Sequence, residues 1–208
     1  MKSVMISIMA FFACMVSYAQ EGSIAQHSAA KNLIWEKKLE RHVTFLSDTI
    51  CQGRGTGSRA SKEAAFCANY CAEWRERCLE EKTSFVFETV MSAIDKVDFI
   101  AKAKKKGFFI RLFFISTESP KINASRIADR VMKGGHDVPI TKIVSRYFKS
   151  IENCKAVSSI VDCLYVYDNS VDGEEAKIQF RLVNGAMGKM YVTDVPEWAQ
   201  VILPDTED

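Results

Sequence analysis

The sequence predicts an α/β protein built on a parallel sheet, and three stretches carry that prediction. Residues 84–90, Ser-Phe-Val-Phe-Glu-Thr-Val, read as a buried strand ending in a carboxylate and a hydroxyl. A helix over residues 95–105, stopped at Gly107, leads to a second strong strand over residues 108–115, and this order argues for a parallel pair with a right-handed crossover. Residues 161–170 form a third strand that runs into an Asp-Asn turn. Polar groups at the carboxyl ends of such strands stand where α/β folds bind ligands, so Glu88, Thr89, Asp168 and Asn169 are candidate site residues. Strand ends and turns are polar in any case, and that plainer reading stays open for all four.

Between the second and third strands lies a basic hairpin. Arg126, Arg130 and Lys133 recur at i, i+4 and i+7, and Lys142, Arg146 and Lys149 repeat the spacing, so each half places three cations on one face of a helix. Gly134-Gly135-His136-Asp137-Val138-Pro139 ends the first helix and delays the second. Guanidinium groups held in this way suit a polyphosphate, because each offers a planar fork to phosphate oxygens. Two amphipathic helices with a solvated basic side have the same pattern.

The remaining elements are simpler. A long helix spans residues 61–82, with Ala65, Ala68, Ala72 and Leu79 on its apolar side. Late strands are expected at residues 177–183 and 189–192, around Gly185 and Gly188, with a short closing helix at 196–202. Lys102, Lys104, Lys105 and Lys106 end a helix, where cations meet the dipole favourably. A chain of 208 residues, 48% hydrophobic, can bury a good core, and a formal net charge of +2 is too small to argue for nucleic acid.

The first nineteen residues have the form of a signal peptide: Lys2, an almost wholly apolar run over 4–16, and Ser17-Tyr18-Ala19 before a cut after Ala19. Export follows as an expectation, with no membrane span once the leader is removed, since the run falls short of the ~20 residues a span needs. Six of the seven cysteines would remain, and Cys67, Cys71 and Cys78 share one helix as small apolar residues, a usage that belongs to a reducing compartment. Their spacing and the scattered His27, His42 and His136 make zinc a weak alternative, so no metal ligands are assigned. Residues 20–30 read as a linker, and Trp35, Leu39, Val43 and Leu46 as one amphipathic helix. The Gly-rich stretch over residues 52–59 lacks the Gly-Lys-Ser/Thr ending and the preceding strand of a Walker loop, so it reads as a turn.

Two resemblances complete the reading. Arg41-His42-Val43-Thr44-Phe45-Leu46-Ser47-Asp48 and Gly53-Arg54-Gly55-Thr56-Gly57-Ser58-Arg59, with the leader, resemble the beginning of secreted zinc-dependent aminopeptidases over residues 1–60, without that family's metal ligands. Phe85-Val86-Phe87-Glu88-Thr89-Val90-Met91-Ser92, the hairpin from Arg126 through Tyr147, and Tyr167-Asp168-Asn169-Ser170 resemble the zeta toxin family of P-loop kinases, from about residue 60 to 208. The second resemblance implies a P-loop-kinase-like parallel sheet with flanking helices and a helical lid, truncated at its start and preceded by a signal peptide and one helix. The domain plan is then residues 1–19 as leader, 20–60 as linker, helix and turn, and 61–208 as the kinase-like domain.

The same resemblance implies ATP and magnesium as cofactors, a nucleotide sugar such as UDP-N-acetylglucosamine as phosphate acceptor, and an antitoxin as protein partner. Glu88 and Thr89 match the segment that holds the acceptor, with Val90 where many members carry a second threonine. Arg130 and Arg146 match the catalytic lid arginines, supported by Arg126, with Asp168 and Asn169 near the nucleotide. The family's first strand, Walker loop and catalytic aspartate are not recognised before Ala60, so little or no turnover is expected, and loss of a central strand would leave the sheet with open edges. A binding module without catalysis and an exported fusion remnant are the other outcomes. The resemblance to the kinase family implies the cytoplasm where the leader implies export.

Overall fold

The computed structural model describes residues 3–9, 59–133 and 137–205. The chain divides into two compact units, Met1–Ala13 with Cys78–Asp208, and Cys14–Arg77. In the second, the described part is helical and belongs to α1, Arg59–Glu80. The helix expected around Trp35 and Leu39, the Gly-rich turn at residues 52–58, the cut after Ala19 and the Gly134-Gly135-His136 corner lie outside the described residues.

The first unit is built on a six-stranded sheet of order β2-β1-β3-β4-β5-β6. Strand β1, Ser3–Met9, runs parallel to β2, Phe85–Thr89, on one side and to β3, Phe109–Ser116, on the other. Strand β4, Cys163–Asp168, is parallel to β3. The sheet then turns antiparallel through β5, Lys177–Val183, and β6, Ala186–Met190. The α/β class follows the sequence reading, but the neighbours do not: β2 and β3 are parallel without pairing, because β1 stands between them. The strand that goes unrecognised before Ala60 is supplied by the apolar run that also reads as a leader. A short continuous apolar stretch is the signature of both, since interior strands of parallel sheets read as near-continuous apolar runs without alternation.

The core lies against β3 and β4, where Ile110, Leu112, Phe114, Leu164 and Val166 are fully buried. Helix α2, Asp95–Lys105, carries Asp95 and Asp98 in its first turn and three lysines in its last, in accord with the helix dipole, and buries Ile100 and Ala103. Helix α3, Pro120–Met132, starts at Ser119, whose hydroxyl accepts from the Lys121 N–H at 3.1 Å, with Pro120 preset at the first helical position. Helix α4, Ile140–Ser158, packs on both α2 and α3 and buries Ile143, Tyr147, Ile151, Cys154 and Val157 in one stripe. The last hairpin begins earlier than expected because Asn184 and Gly185, at φ of 49° and 81°, make the two-residue turn that left-handed backbone allows. A short α5, Glu197–Gln200, buries Trp198 and Ala199.

One lysine of the α2 cluster has a further use. Lys104 Nζ donates to Asp162 Oδ1 at 2.7 Å, and Asp162 Oδ2 accepts from the Ile110 N–H at 2.8 Å, clamping the helix end to the starts of β3 and β4. Asp162→Ala is expected to lower stability by about 2 kcal/mol in urea unfolding, mostly through the charge-assisted bond to the backbone, the partly exposed lysine adding little.

Candidate functional site

Three parallel strands deliver polar residues to one edge of the sheet. At the end of β2, Glu88 is exposed as a residue and Thr89 half-buried. Packing around the strand end pushes the Glu88 carboxyl above its ordinary pKa by desolvation. Two residues on, Met91 is fully buried at a φ of 59°, a left-handed backbone that a side chain seldom adopts. Asn153 of α4 secures it, donating Nδ2–H to the Met91 carbonyl at 2.7 Å.

Burial raises the Glu88 pKa, so its contribution to stability is fully present below about pH 4.5 and is lost as pH rises through the folded value. Glu88→Gln should therefore be more stable than the parent at pH 7, and the gap should close near pH 4 in paired thermal melts. Glu88 is an exposed residue and its carboxyl is only partly desolvated, so water screens it and the difference will be at most about 0.5 kcal/mol.

At the ends of β3 and β4 the network is denser. Thr117 is buried, and its hydroxyl lies within donating distance of Asn123 Oδ1 at 3.2 Å and the Ser119 carbonyl at 3.1 Å. The Tyr147 hydroxyl of α4 donates to the Thr117 and Glu118 carbonyls at 2.8 and 3.2 Å. Desolvation, with Asp168 and Glu118 nearby, pushes the Tyr147 phenol up to about 12, so it stays a donor at any physiological pH. Asp168 accepts from the Ser170 N–H and hydroxyl at 2.9 and 3.0 Å and from Trp198 Nε1 at 3.0 Å. The Asn169 N–H donates to the Ser116 carbonyl at 2.7 Å, and Arg126 Nη1 donates to the Asn169 carbonyl at 2.9 Å, with its Nε 3.7 Å from Asp172.

Arg126, Asp168 and Asn169 thus meet, as an Asx turn held from α3. Glu88 and Thr89 stand apart from them. Two strands separate β2 from β4, about 14 Å across, and the register sets Asp168 three residues beyond the level of Glu88, about 10 Å along the strands. Helix α4 spans the gap, fastening β3 through Tyr147 and the loop after β2 through Asn153, six residues or about 9 Å further along. Of the other two hairpin arginines, Arg146 beside Tyr147 is exposed and Arg130 on α3 is half-buried.

Tyr147, Thr117, Asn153, Ser170 and Trp198 were not legible as site residues. Tyr147 sits in the apolar stripe of α4, and the partners of Tyr147 and Asn153 are backbone carbonyls, which no side-chain pattern reveals.

A mixed sheet whose parallel strands β2, β3 and β4 end in polar groups, with helices packed alongside, is an α/β domain of the kind that binds ligands beyond the carboxyl ends of its strands. The chain belongs to the zeta toxin family, whose model matches residues 51–175, more than half of its length. That stretch takes in Glu88, Thr89, Arg126, Arg130, Arg146, Asp168 and Asn169, while β1 lies outside it. Among solved structures, a chain from the PezAT chromosomal toxin-antitoxin system of Streptococcus pneumoniae is similar at 13% identity and a TM-score of 0.43, covering 81% of this chain and 69% of that one. No curated protein matches.

Proposed function

We propose that the chain is a zeta-toxin-type phosphotransferase domain that keeps its acceptor strand and lid but has little or no turnover. In this reading Glu88 and Thr89 hold the hydroxyl-bearing acceptor, a nucleotide sugar for which UDP-N-acetylglucosamine is the family's example. Arg130 and Arg146 supply positive charge where charge builds on a transferred phosphoryl group.

The loss of turnover rests on the composition of the segment next after the central strand. Residues 10–19, Ala-Phe-Phe-Ala-Cys-Met-Val-Ser-Tyr-Ala, contain neither glycine nor lysine. A phosphate cradle needs glycines so that backbone N–H groups can approach the oxygens, and a lysine to reach the β and γ phosphates. Arg126 and Asp168 do not substitute for them, each being engaged within the protein. The residues present therefore do not fit the triphosphate of magnesium-ATP, and no transfer step is derived through it.

Incubation of the full chain with ATP, magnesium and UDP-N-acetylglucosamine should yield no phosphorylated sugar above a protein-free control. Turnover on the order of 1 s⁻¹ that falls on Arg130→Ala or Arg146→Ala would contradict this reading.

A second reading, a binding module for an antitoxin-like protein, draws support from α4, where Ile140, Val144 and Phe148 form an exposed apolar stripe at i, i+4 and i+8. It requires that Phe148→Glu abolish capture of such a partner while leaving the melting temperature unchanged.

A further inference from the structure

We propose that residues 3–9 have two mutually exclusive uses, so that the folded domain is the uncut chain: retained, they are the strand that joins β2 to β3, and removed as a leader, they leave a product that cannot close this sheet. The sequence over 2–19 has the charge, apolar run and small-residue cut site of a leader. The structure places Ser3–Met9 of that same run inside the sheet, second from its edge and between β2 and β3, within the compact unit that also holds Cys78–Asp208.

The consequences of removal follow from the pairing. Among the described residues β2 has no strand neighbour except β1, from Val4↔Phe85 to Ile8↔Thr89. Strand β3 pairs with β1 over nearly its whole length, from Ser3↔Phe109 to Met9↔Ile115. A cut after Ala19 would strip the ladder from both, leaving unpaired N–H and C=O groups beside the fully buried Ile110, Leu112 and Phe114. It would also detach from the sheet the strand bearing Glu88 and Thr89.

Timing makes the two uses compete. The partners of β1 lie 81 residues later in β2 and 106 later in β3, so the strand cannot pair until they have been made. Until then the apolar run is accessible, the form in which a leader is taken up. The same arrangement reconciles a leader with a kinase-family domain: uptake and folding draw on one segment.

Hydrogen exchange on the soluble 1–208 chain, with intact mass, tests this. The expected result is an uncut mass, amides of residues 3–9 protected to the level of β3, and exchange in β2 and β3 accelerated about 100-fold or more by Ile6→Pro, which removes a ladder N–H. A chain of residues 20–208 should lack a cooperative transition, and a peptide of residues 1–13 should restore protection to β2 and β3. Free exchange of residues 3–9 beside a protected β3 would overturn the proposal. So would a 20–208 chain melting cooperatively at the midpoint of the full chain. If the 20–208 chain is insoluble, the exchange pattern of the uncut chain decides alone.

Discussion

Asp168→Ala will lower the stability of the domain by about 3 kcal/mol. The carboxylate accepts from the Ser170 N–H, the Ser170 hydroxyl and Trp198 Nε1, and Trp198 is 6% exposed, so its orphaned N–H could not turn to water. A charge-assisted bond contributes about 1.5–3 kcal/mol, and a buried donor without an acceptor costs about 1–3 kcal/mol. The loop that this carboxylate holds also carries the Asn169 carbonyl, the acceptor for Arg126. Urea unfolding followed by tryptophan fluorescence will read both effects, a lower midpoint and a red-shifted native spectrum. A loss below about 1 kcal/mol would mean that the three bonds are not held together in solution.

Phe85→Ala should cost more, about 4 kcal/mol. Phe85 is 2% exposed and its ring meets those of Phe87, Phe99 and Phe108 at centroid distances of 6.0, 6.1 and 6.3 Å. These contacts join β2 to α2 and to the start of β3, and they supplement the single hydrogen-bonded ladder that β2 has with β1. Truncation leaves a cavity in this aromatic cluster and loosens the strand that bears Glu88 and Thr89. Faster hydrogen exchange confined to residues 85–89, ahead of the rest of the sheet, is the expected pattern. Uniform acceleration across all strands would show that β2 opens only with the whole fold.

How far the sequence reveals this molecule can be judged strand by strand. Strands β2, β3 and β4 were legible because each is a short apolar run bounded by polar, Gly or Asp-Asn signals, and the helices because their apolar positions recur at three and four. Strand β1 was legible only as a leader, since charge, apolar length and small residues describe a leader locally, whereas a central strand is identified by partners far along the chain. Glu88, Thr89, Asp168 and Asn169 are candidates by their place at strand ends, a place the structure gives them. That they form two groups rather than one follows from β1, whose insertion spreads the strands. Arg126 was legible as a cation on a helix face, but its acceptor is a backbone carbonyl 43 residues away.

The central claim is that this zeta toxin family domain retains the lid and acceptor strand without a working phosphate cradle. Calorimetric titration of the full chain with magnesium-ATP tests it most directly. The expected result is no saturable heat and no rise in melting temperature up to millimolar nucleotide, a range in which a site with a Kd near 1 µM would add about 4 kcal/mol of stability. Saturable micromolar binding that disappears in Arg130→Ala would contradict the claim, and would mean that the lid arginines assemble a triphosphate site from residues other than a glycine-lysine loop.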